Sequence, residues 1–177
     1  MRITGGDLKG RRLKPFKWDG TKPSTDKTRQ ALINILGPDF GYSELSVLDC
    51  YAGTGIVSLE FLSRGAAHVT SVDRYSKCVD YMRDVKKDLG LSNWETKKSE
   101  VFRFLKETNL TFDLVFADPP YLDDQIDEFV DFIIEGNILS KNGIFVLEHV
   151  ANRSFNRNEL FKSKKYGDSM LSFYKKI

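Results

Sequence analysis

The chain has 177 residues, of which 41% are hydrophobic and 29% are charged, and its net charge is +2. This length fits one compact domain with a substantial buried core. Charge and glycine follow Met1 directly, and no apolar run approaches the roughly 20 residues of a membrane span. We therefore expect a cytoplasmic protein without a signal peptide or membrane segment. Cys50 and Cys78 lie far apart without metal-ligand spacing, so we expect neither a disulfide nor a metal site.

The positive charge is concentrated at the start of the chain. Residues 1–30 contain nine basic and three acidic residues, a net charge of +6, which leaves −4 for the remainder. A basic segment on a mildly acidic domain indicates a polyanionic partner, because each neutralised phosphate releases counterions. A solvated basic surface is the alternative interpretation. Two short extended pieces around a turn, at residues 2–6 and 8–13, predict a β-hairpin arm within residues 1–23.

Residues 24–177 show an alternation of helices and strands. Ser24 and Thr25 are suitable N-caps for a helix that runs to Leu36, before Gly37 and Pro38. Strands are then predicted at residues 47–48, 69–72, near 96, 114–117 and 144–147, and helices at residues 56–64, 76–89, 101–105 and 124–134. This βαβ succession predicts an α/β domain with a largely parallel sheet. Residues 160–166 and 169–175 flank Gly167-Asp168 and predict a hairpin.

Three predicted strand ends carry residues that we expect to bind a cofactor, because ligands of open α/β sheets bind at the carboxyl ends of the strands. After the first strand comes D-C-Y-A-G-T-G, in which Gly53 and Gly55 let the backbone approach a ligand closely. Asp73 ends the second strand, where it can accept hydrogen bonds from ribose hydroxyls. Glu100 and Val101 are placed to meet an adenine. The predicted cofactor-binding residues are Asp49, Tyr51, Ala52, Gly53, Gly55, Asp73, Arg74, Glu100, Val101 and Asp118.

The glycine loop favours S-adenosylmethionine (SAM) over a dinucleotide. A dinucleotide fingerprint is G-x-G-x-x-G, with pyrophosphate on the helix N-terminus, but the third position here is Ser58. The Asp49 carboxylate at the start of the loop would repel pyrophosphate. It suits the cationic amino group of SAM instead.

The segment Asp118-Pro119-Pro120-Tyr121 follows the fourth predicted strand and is stiffened by its two prolines. An exocyclic amine of a nucleic-acid base is a poor nucleophile, because its lone pair is delocalised into the ring. Hydrogen bonds to the Asp118 carboxylate and the Pro119 carbonyl would direct this lone pair at a methyl donor, and Tyr121 can stack on the base. We predict that these four residues form a catalytic loop. A simple turn is the alternative for D-P-P-Y taken alone.

Together these residues resemble the class I SAM-dependent methyltransferases, and more closely the RsmD family. The similar segments are R-I-x-G-G-x-L-K-G-R-x-L from Arg2, K-P-S-T-D-x-x-R from Lys22, V-L-D-C-Y-A-G-T-G-x-x-x-L-E from Val47, S-R-G-A from Ser63, D-P-P-Y, L-E-H from Leu147 and Y-G-D-S-x-L-S-F-Y from Tyr166. The resemblance implies a Rossmann-like, mostly parallel seven-stranded sheet with an antiparallel last strand. It also implies methylation of the exocyclic N2 of a guanine in 16S ribosomal RNA within the small subunit.

The resemblance and the basic arm lead to further expectations. The predicted RNA contacts are Arg2, Lys9, Arg11, Arg12, Lys22 and Arg29, and we expect a monomer. Lys22 stands where the family pattern has arginine, and Glu100 where aspartate or asparagine is usual. Two alternatives stay open. One is a DNA adenine-N6 or cytosine-N4 methyltransferase, although the ~56 residues after Tyr121 leave no room for a target-recognition region beside the sheet. The other is an RNA-binding assembly factor without activity.

Overall fold

The computed structural model describes residues 1–16, 25–38, 40–120 and 125–176. Lys22 and Tyr121, both predicted site residues, lie outside the described residues. Within these ranges the helices are α1 (Asp26–Leu36), α2 (Ile56–Ser63), α3 (Ser76–Leu89), α4 (Val101–Glu107) and α5 (Ile126–Glu135), with a short 3-10 helix at Tyr42–Glu44. The strands are β1 (Ser46–Cys50), β2 (His68–Asp73), β3 (Trp94–Lys98), β4 (Phe112–Ala117), β5 (Leu139–Val150), β6 (Leu160–Tyr166) and β7 (Ser169–Lys175).

The strands form one seven-stranded sheet in the order β3-β2-β1-β4-β5-β7-β6. The first five strands in this order are parallel to one another, and β7 is antiparallel to both β5 and β6. This confirms the predicted mostly parallel sheet with an antiparallel last strand, and β6 and β7 have the predicted bounds. Strand β5 begins five residues earlier than predicted, at Leu139, because its pairing with β4 contains a register shift that accommodates the polar residues Lys141 and Asn142.

Each face of the sheet is covered by an apolar layer, because successive strand residues point to opposite faces. Val47 packs in the layer formed with α1, α2 and α3, whereas its neighbour Leu48 packs in the layer formed with α4 and α5. The carboxyl ends of the parallel strands therefore meet at one edge between two rigid layers. Among the described residues, no helix combines the length and apolarity needed to cross a membrane.

Helix α2 is buried along its whole length, including the charged residue Glu60, which is 0% exposed. The Glu60 carboxylate accepts hydrogen bonds from the backbone N and the hydroxyl of Thr4, at 3.0 and 2.8 Å. It also forms ion pairs with Arg29 on α1 (3.3 Å) and with Arg64 directly after α2 (2.6 Å). A buried carboxylate requires such partners, because removing a charge from water is costly unless it is paired. Glu60 thus joins the arm, α1 and α2.

The predicted RNA contact of Arg29 is wrong, because the side chain is buried. Its side chain is 1% exposed and bonds to Glu60, to Asp26 (2.7 Å) and to the carbonyl of Arg2 (3.0 Å). A guanidinium enclosed by these groups does not face a nucleic acid at the surface. The sequence pattern places a basic residue three positions after Asp26 but does not show that the opposing carboxylate lies on α2.

The first residues of the chain pack closely on the end of α2. Arg2 and Arg12 form an antiparallel bridge, so the predicted hairpin is present in a minimal form. The backbone N of Asp7 donates to the carbonyl of Ser63 at 2.7 Å. Gly6 adopts φ +74°, and a Cβ there would lie 1.8 Å from the same carbonyl oxygen. Only glycine permits this approach, so the arm is fixed to the domain.

We predict that Glu60→Ala lowers the free energy of unfolding by about 3 to 5 kcal/mol, because the buried Arg29 loses one of its two carboxylate partners and the interior loses the group that joins Thr4, Arg29 and Arg64. Urea denaturation of the wild type and the variant measures this difference. The matched control is Glu107→Ala, which breaks an exposed i,i+4 pair with Arg103 and should cost less than about 1 kcal/mol. Equal losses in both variants would contradict the importance assigned to Glu60.

Candidate functional site

A cleft of about 1000 Å³ lies at the carboxyl ends of the parallel strands. It brings together predicted site residues that are far apart in the sequence, and they come from the ends of β1, β2, β3 and β4. These residues are Asp49, Tyr51, Ala52, Gly53, Asp73, Arg74, Glu100, Val101, Asp118, Pro119 and Pro120. The predicted cofactor residues and the described part of the predicted catalytic loop therefore share one cavity.

Asp49 lies near the end of β1 and is held by a buried chain of hydrogen bonds. Its Oδ2 accepts from the backbone N of Ser58 (3.1 Å) and from the Ser58 hydroxyl (2.5 Å). That hydroxyl lies 2.6 Å from the Ser71 hydroxyl, which accepts from the Trp94 indole N–H at 2.7 Å. Burial raises the pKa of Asp49 to about 7, and the nearby Asp73 carboxylate adds to the shift. The carboxylate is thus fixed in position and titrates near neutral pH.

Asp73 ties the glycine loop to the end of β2. Its two carboxylate oxygens accept hydrogen bonds from the backbone N of Gly53 (2.8 Å) and of Tyr75 (2.9 Å). Burial raises its pKa above the ordinary value, and these two hydrogen bonds oppose that rise. A carboxylate offers about four acceptor sites, so Asp73 can still bind ribose hydroxyls.

Two predicted cofactor residues have local roles that the sequence did not reveal. Gly55 does not line the cleft: it adopts φ +70°, and a Cβ there would collide with Trp94 at 2.6 Å and with Met82 at 2.9 Å. A glycine at this position therefore serves packing at the start of α2, and its backbone contact with a cofactor stays a prediction. Glu100 lines the cleft and is also the N-cap of α4, where it accepts from the backbone N of Phe102 and of Arg103.

Asp118 and its prolines follow β4 in the centre of the sheet edge. Asp118 is half-buried, Pro119 is buried and Pro120 is exposed. Strands β4 and β5 pair in register at Ala117 and Leu147. The residues that follow these two positions are Asp118, directly after β4, and Glu148, within β5, and both line the cleft.

Several residues of this cleft were not predicted from the sequence. They come from α1, from the residue after Arg74, from β4 and β5 and from the β6–β7 turn. They include Thr25, Lys27, Thr28, Tyr75, Phe116, Glu148, Gly167 and Asp168. Glu148 and the β6–β7 turn lie within two segments that resemble the RsmD family, L-E-H and Y-G-D-S-x-L-S-F-Y, but no functional role was predicted for them. Their position at strand ends is the signal that could have identified them.

Among the described residues, most of the charged side chains that line the cleft are acidic. Asp49, Asp73, Glu100, Asp118 and Glu148 contribute carboxylates, and a sixth comes from the β6–β7 turn. The basic side chains of the lining belong to Lys27 on α1 and to Arg74 after β2. A cavity with this balance attracts a cationic ligand and repels the phosphates of a nucleotide.

The family model described as Conserved hypothetical protein 95 matches residues 1–175 of the chain. A candidate rRNA methyltransferase of Bacillus subtilis (strain 168), YlbH, is 34% identical over 157 residues, which cover 84% of this chain and 82% of the relative. Ribosomal RNA small subunit methyltransferase D of Haemophilus influenzae is 32% identical over 155 residues, which cover 84% of this chain and 78% of that protein.

The fold has close counterparts among solved structures. That of the candidate methyltransferase yhhF from Escherichia coli superposes with a TM-score of 0.88 at 28% identity, covering 99% of this chain and 97% of that one. The agreement extends from the arm to the inserted strand β7. Because the family model spans almost the whole sequence and the relatives align over most of their own length, the chain belongs to this family, the RsmD family of methyltransferases.

Proposed function

We propose that this protein transfers a methyl group from SAM to the exocyclic N2 of a guanine in 16S ribosomal RNA of the small subunit. The observation that carries the proposal is that Asp118 and Pro119 open into the same cleft as Asp49 and Asp73, in a chain that belongs to the RsmD family. The curated relatives named ribosomal RNA small subunit methyltransferase D support ribosomal RNA as the substrate.

The acidic cleft fits SAM. When bound, SAM supplies a methyl group activated by a positively charged sulfonium. Asp49 would bind the amino group of the methionine part, since its carboxylate is fixed by Ser58 at the end of β1. Asp73 would bind the ribose hydroxyls, and Val101 would contact the adenine face. Arg74 and Tyr75 at the rim would cover the nucleoside.

The residues after β4 would orient the target amine. The Asp118 carboxylate and the Pro119 carbonyl would accept the two N–H bonds of the amine, so that the nitrogen lone pair faces the cofactor side of the cleft. This contribution is mainly one of orientation, with electrostatic support from Asp118 as positive charge develops on nitrogen. We keep the prediction that Tyr121 stacks on the base, which must be extruded from its surroundings to enter the cleft.

The arm would bind RNA phosphates beside the cleft. Lys9, Arg11 and Arg12 are exposed, whereas Ile3 and Leu13 on the same segment are buried in the core. The arm also begins at the cleft, since the Met1 sulfur lies 3.4 Å from the hydroxyl of the cleft residue Thr54. Phosphate contacts of this kind position a substrate without reading its sequence. Arg2 is exposed as well and forms an ion pair with Asp26 at 3.4 Å.

We also propose that the protein acts as a monomer in the cytoplasm, where small subunits are assembled. Large apolar side chains that are exposed in the described ranges are Tyr75, Leu110 and Phe161, which lie on separate elements. Scattered apolar residues do not form the contiguous patch typical of a stable protein interface.

We predict that Asp118→Ala lowers the rate of methyl transfer by at least about 100-fold, because the amine loses its main acceptor and its electrostatic support. The assay is transfer of labelled methyl from SAM to small subunits that lack the modification, with mass spectrometry to locate the nucleotide. Calorimetry should show nearly unchanged SAM affinity. Asp80→Ala, which removes an exposed carboxylate on α3, should leave both quantities unchanged. Retained activity in Asp118→Ala would contradict the mechanism.

We predict that SAM binds more weakly as the pH falls through about 7. The cationic amino group favours ionised Asp49, and this carboxyl, whose pKa is raised to about 7, is largely protonated below that value. Between about pH 7.5 and about pH 6 the Kd should rise by about fivefold to tenfold. Asp49→Asn should bind as weakly as the wild type at low pH and show little pH dependence. An identical pH profile in the variant would exclude this role, and absence of SAM binding with retained RNA binding would favour the inactive assembly factor.

We predict that Lys9→Ala/Arg11→Ala weakens RNA binding and reduces the slope of log K against log salt by about 1.4, since two phosphate contacts are lost. Binding of small subunits at several salt concentrations measures this slope. The matched control is Arg103→Ala/Lys106→Ala, which removes two exposed basic residues from α4 on the opposite face of the sheet. If the control lowers the slope as much as the arm variant, the RNA surface is not at the arm.

A further inference from the structure

Glu148 is a buried acidic residue of the cleft, and the proposed reaction as described above does not use it. It lies near the end of β5, is 4% exposed, and stands opposite Leu171 of β7 in the antiparallel pairing. Strands β4 and β5 are in register as far as Ala117 and Leu147, and Asp118 and Glu148 are the residues that follow. Both side chains line the cleft. Two acidic residues therefore follow neighbouring positions of adjacent strands and line the cleft that the target base would enter.

A pair of adjacent carboxylates matches one edge of guanine. Guanine carries two neighbouring N–H donors on its Watson–Crick edge, the ring N1–H and the exocyclic N2 amine. An ionised carboxylate accepts hydrogen bonds but donates none, and it offers about four lone-pair sites. If Asp118 accepts from the amine, the adjacent Glu148 is in position to accept from N1–H.

The same pair mismatches the other bases with an exocyclic amine. In adenine the ring nitrogen beside the N6 amine is an acceptor, and in cytosine the ring nitrogen beside the N4 amine is also an acceptor. An acceptor facing a buried carboxylate leaves both groups without a hydrogen bond to each other and places two electron-rich atoms in contact. Such a mismatch is costly because the buried polar groups lose water without a replacement.

We propose that Glu148 is a specificity-determining residue that selects guanine by accepting a hydrogen bond from its N1–H, while Asp118 holds the N2 amine. This inference rests on the proposed function, because it concerns the base that enters the same cleft. The two carboxylates thus have different roles. Asp118 orients the amine, and Glu148 distinguishes a ring N–H from an unprotonated ring nitrogen next to it.

The test compares two target bases that carry the same 2-amino group. Small subunits are reconstituted with 16S ribosomal RNA in which ligation places either guanine or 2-aminopurine, whose N1 is an acceptor, at the target position identified for the wild type. Single-turnover transfer of labelled methyl is then measured for the wild type and for Glu148→Gln. The matched control is Glu135→Gln, an exposed carboxylate at the end of α5.

The wild type should prefer guanine over 2-aminopurine by at least about tenfold, the discrimination expected for one well-placed base contact. Glu148→Gln should narrow this ratio by about tenfold, because a neutral amide can turn its oxygen to guanine or its N–H to 2-aminopurine. Glu135→Gln should keep the wild-type ratio. SAM affinity and melting temperature of Glu148→Gln should be unchanged.

Three results would overturn the inference. If the wild type methylates guanine and 2-aminopurine equally, the inference is wrong. This result needs no variant, so it holds even if Glu148→Gln fails to fold. An unchanged base preference in a folded Glu148→Gln variant would assign Glu148 a structural role while the proposed function stands. If the wild type transfers no methyl to subunits that carry guanine, the proposed function itself fails, and the inference fails with it.

Discussion

The position of the arm and of α1 depends on one buried carboxylate, that of Glu60. It receives hydrogen bonds from Thr4 of the arm, and ion pairs from Arg29 of α1 and from Arg64 after α2. A charge that is 0% exposed is tolerated only if these partners remain in place. The N-terminal end of α1 lines the cleft, and the arm carries the exposed basic residues. The geometry of the substrate surface is therefore set by a group that lies outside the cleft.

Charge is distributed in opposite ways in the cleft and on the arm. The carboxylates of Asp49, Asp73, Asp118 and Glu148 line the cleft, whereas Lys9, Arg11 and Arg12 are exposed on the arm. This arrangement suits two ligands of opposite charge. A cationic cofactor is attracted into the cavity, while the phosphates of RNA are attracted to the arm and kept away from the carboxylates. A base without charge is the part of the RNA that can enter.

The fold and the strand-end residues could be predicted from the sequence because their signals are local. Apolar runs and capping residues predict the helices and strands. Residues at the carboxyl ends of parallel strands lie at the same edge of the sheet, which is why Asp49, Asp73 and Asp118 could be predicted to lie together. Arg29 was misassigned, and the packing role of Gly55 was not predicted, because their partners Glu60 and Trp94 come from other elements of the fold. Such contacts depend on packing, which no local pattern in a single sequence reveals.

The insertion of β7 between β5 and β6 has a consequence for how the protein is made. The last strand in chain order, β7, occupies an interior position of the sheet. During synthesis, β5 therefore has an unpaired edge until β7 has been made. Unpaired strand edges invite association with other chains. Strand β6, which ends the finished sheet, carries the exposed lysines Lys162, Lys164 and Lys165, and charge of this kind discourages such pairing. The wall of the cleft that contains Glu148 and the β6–β7 turn is therefore completed only when β7 pairs with β5.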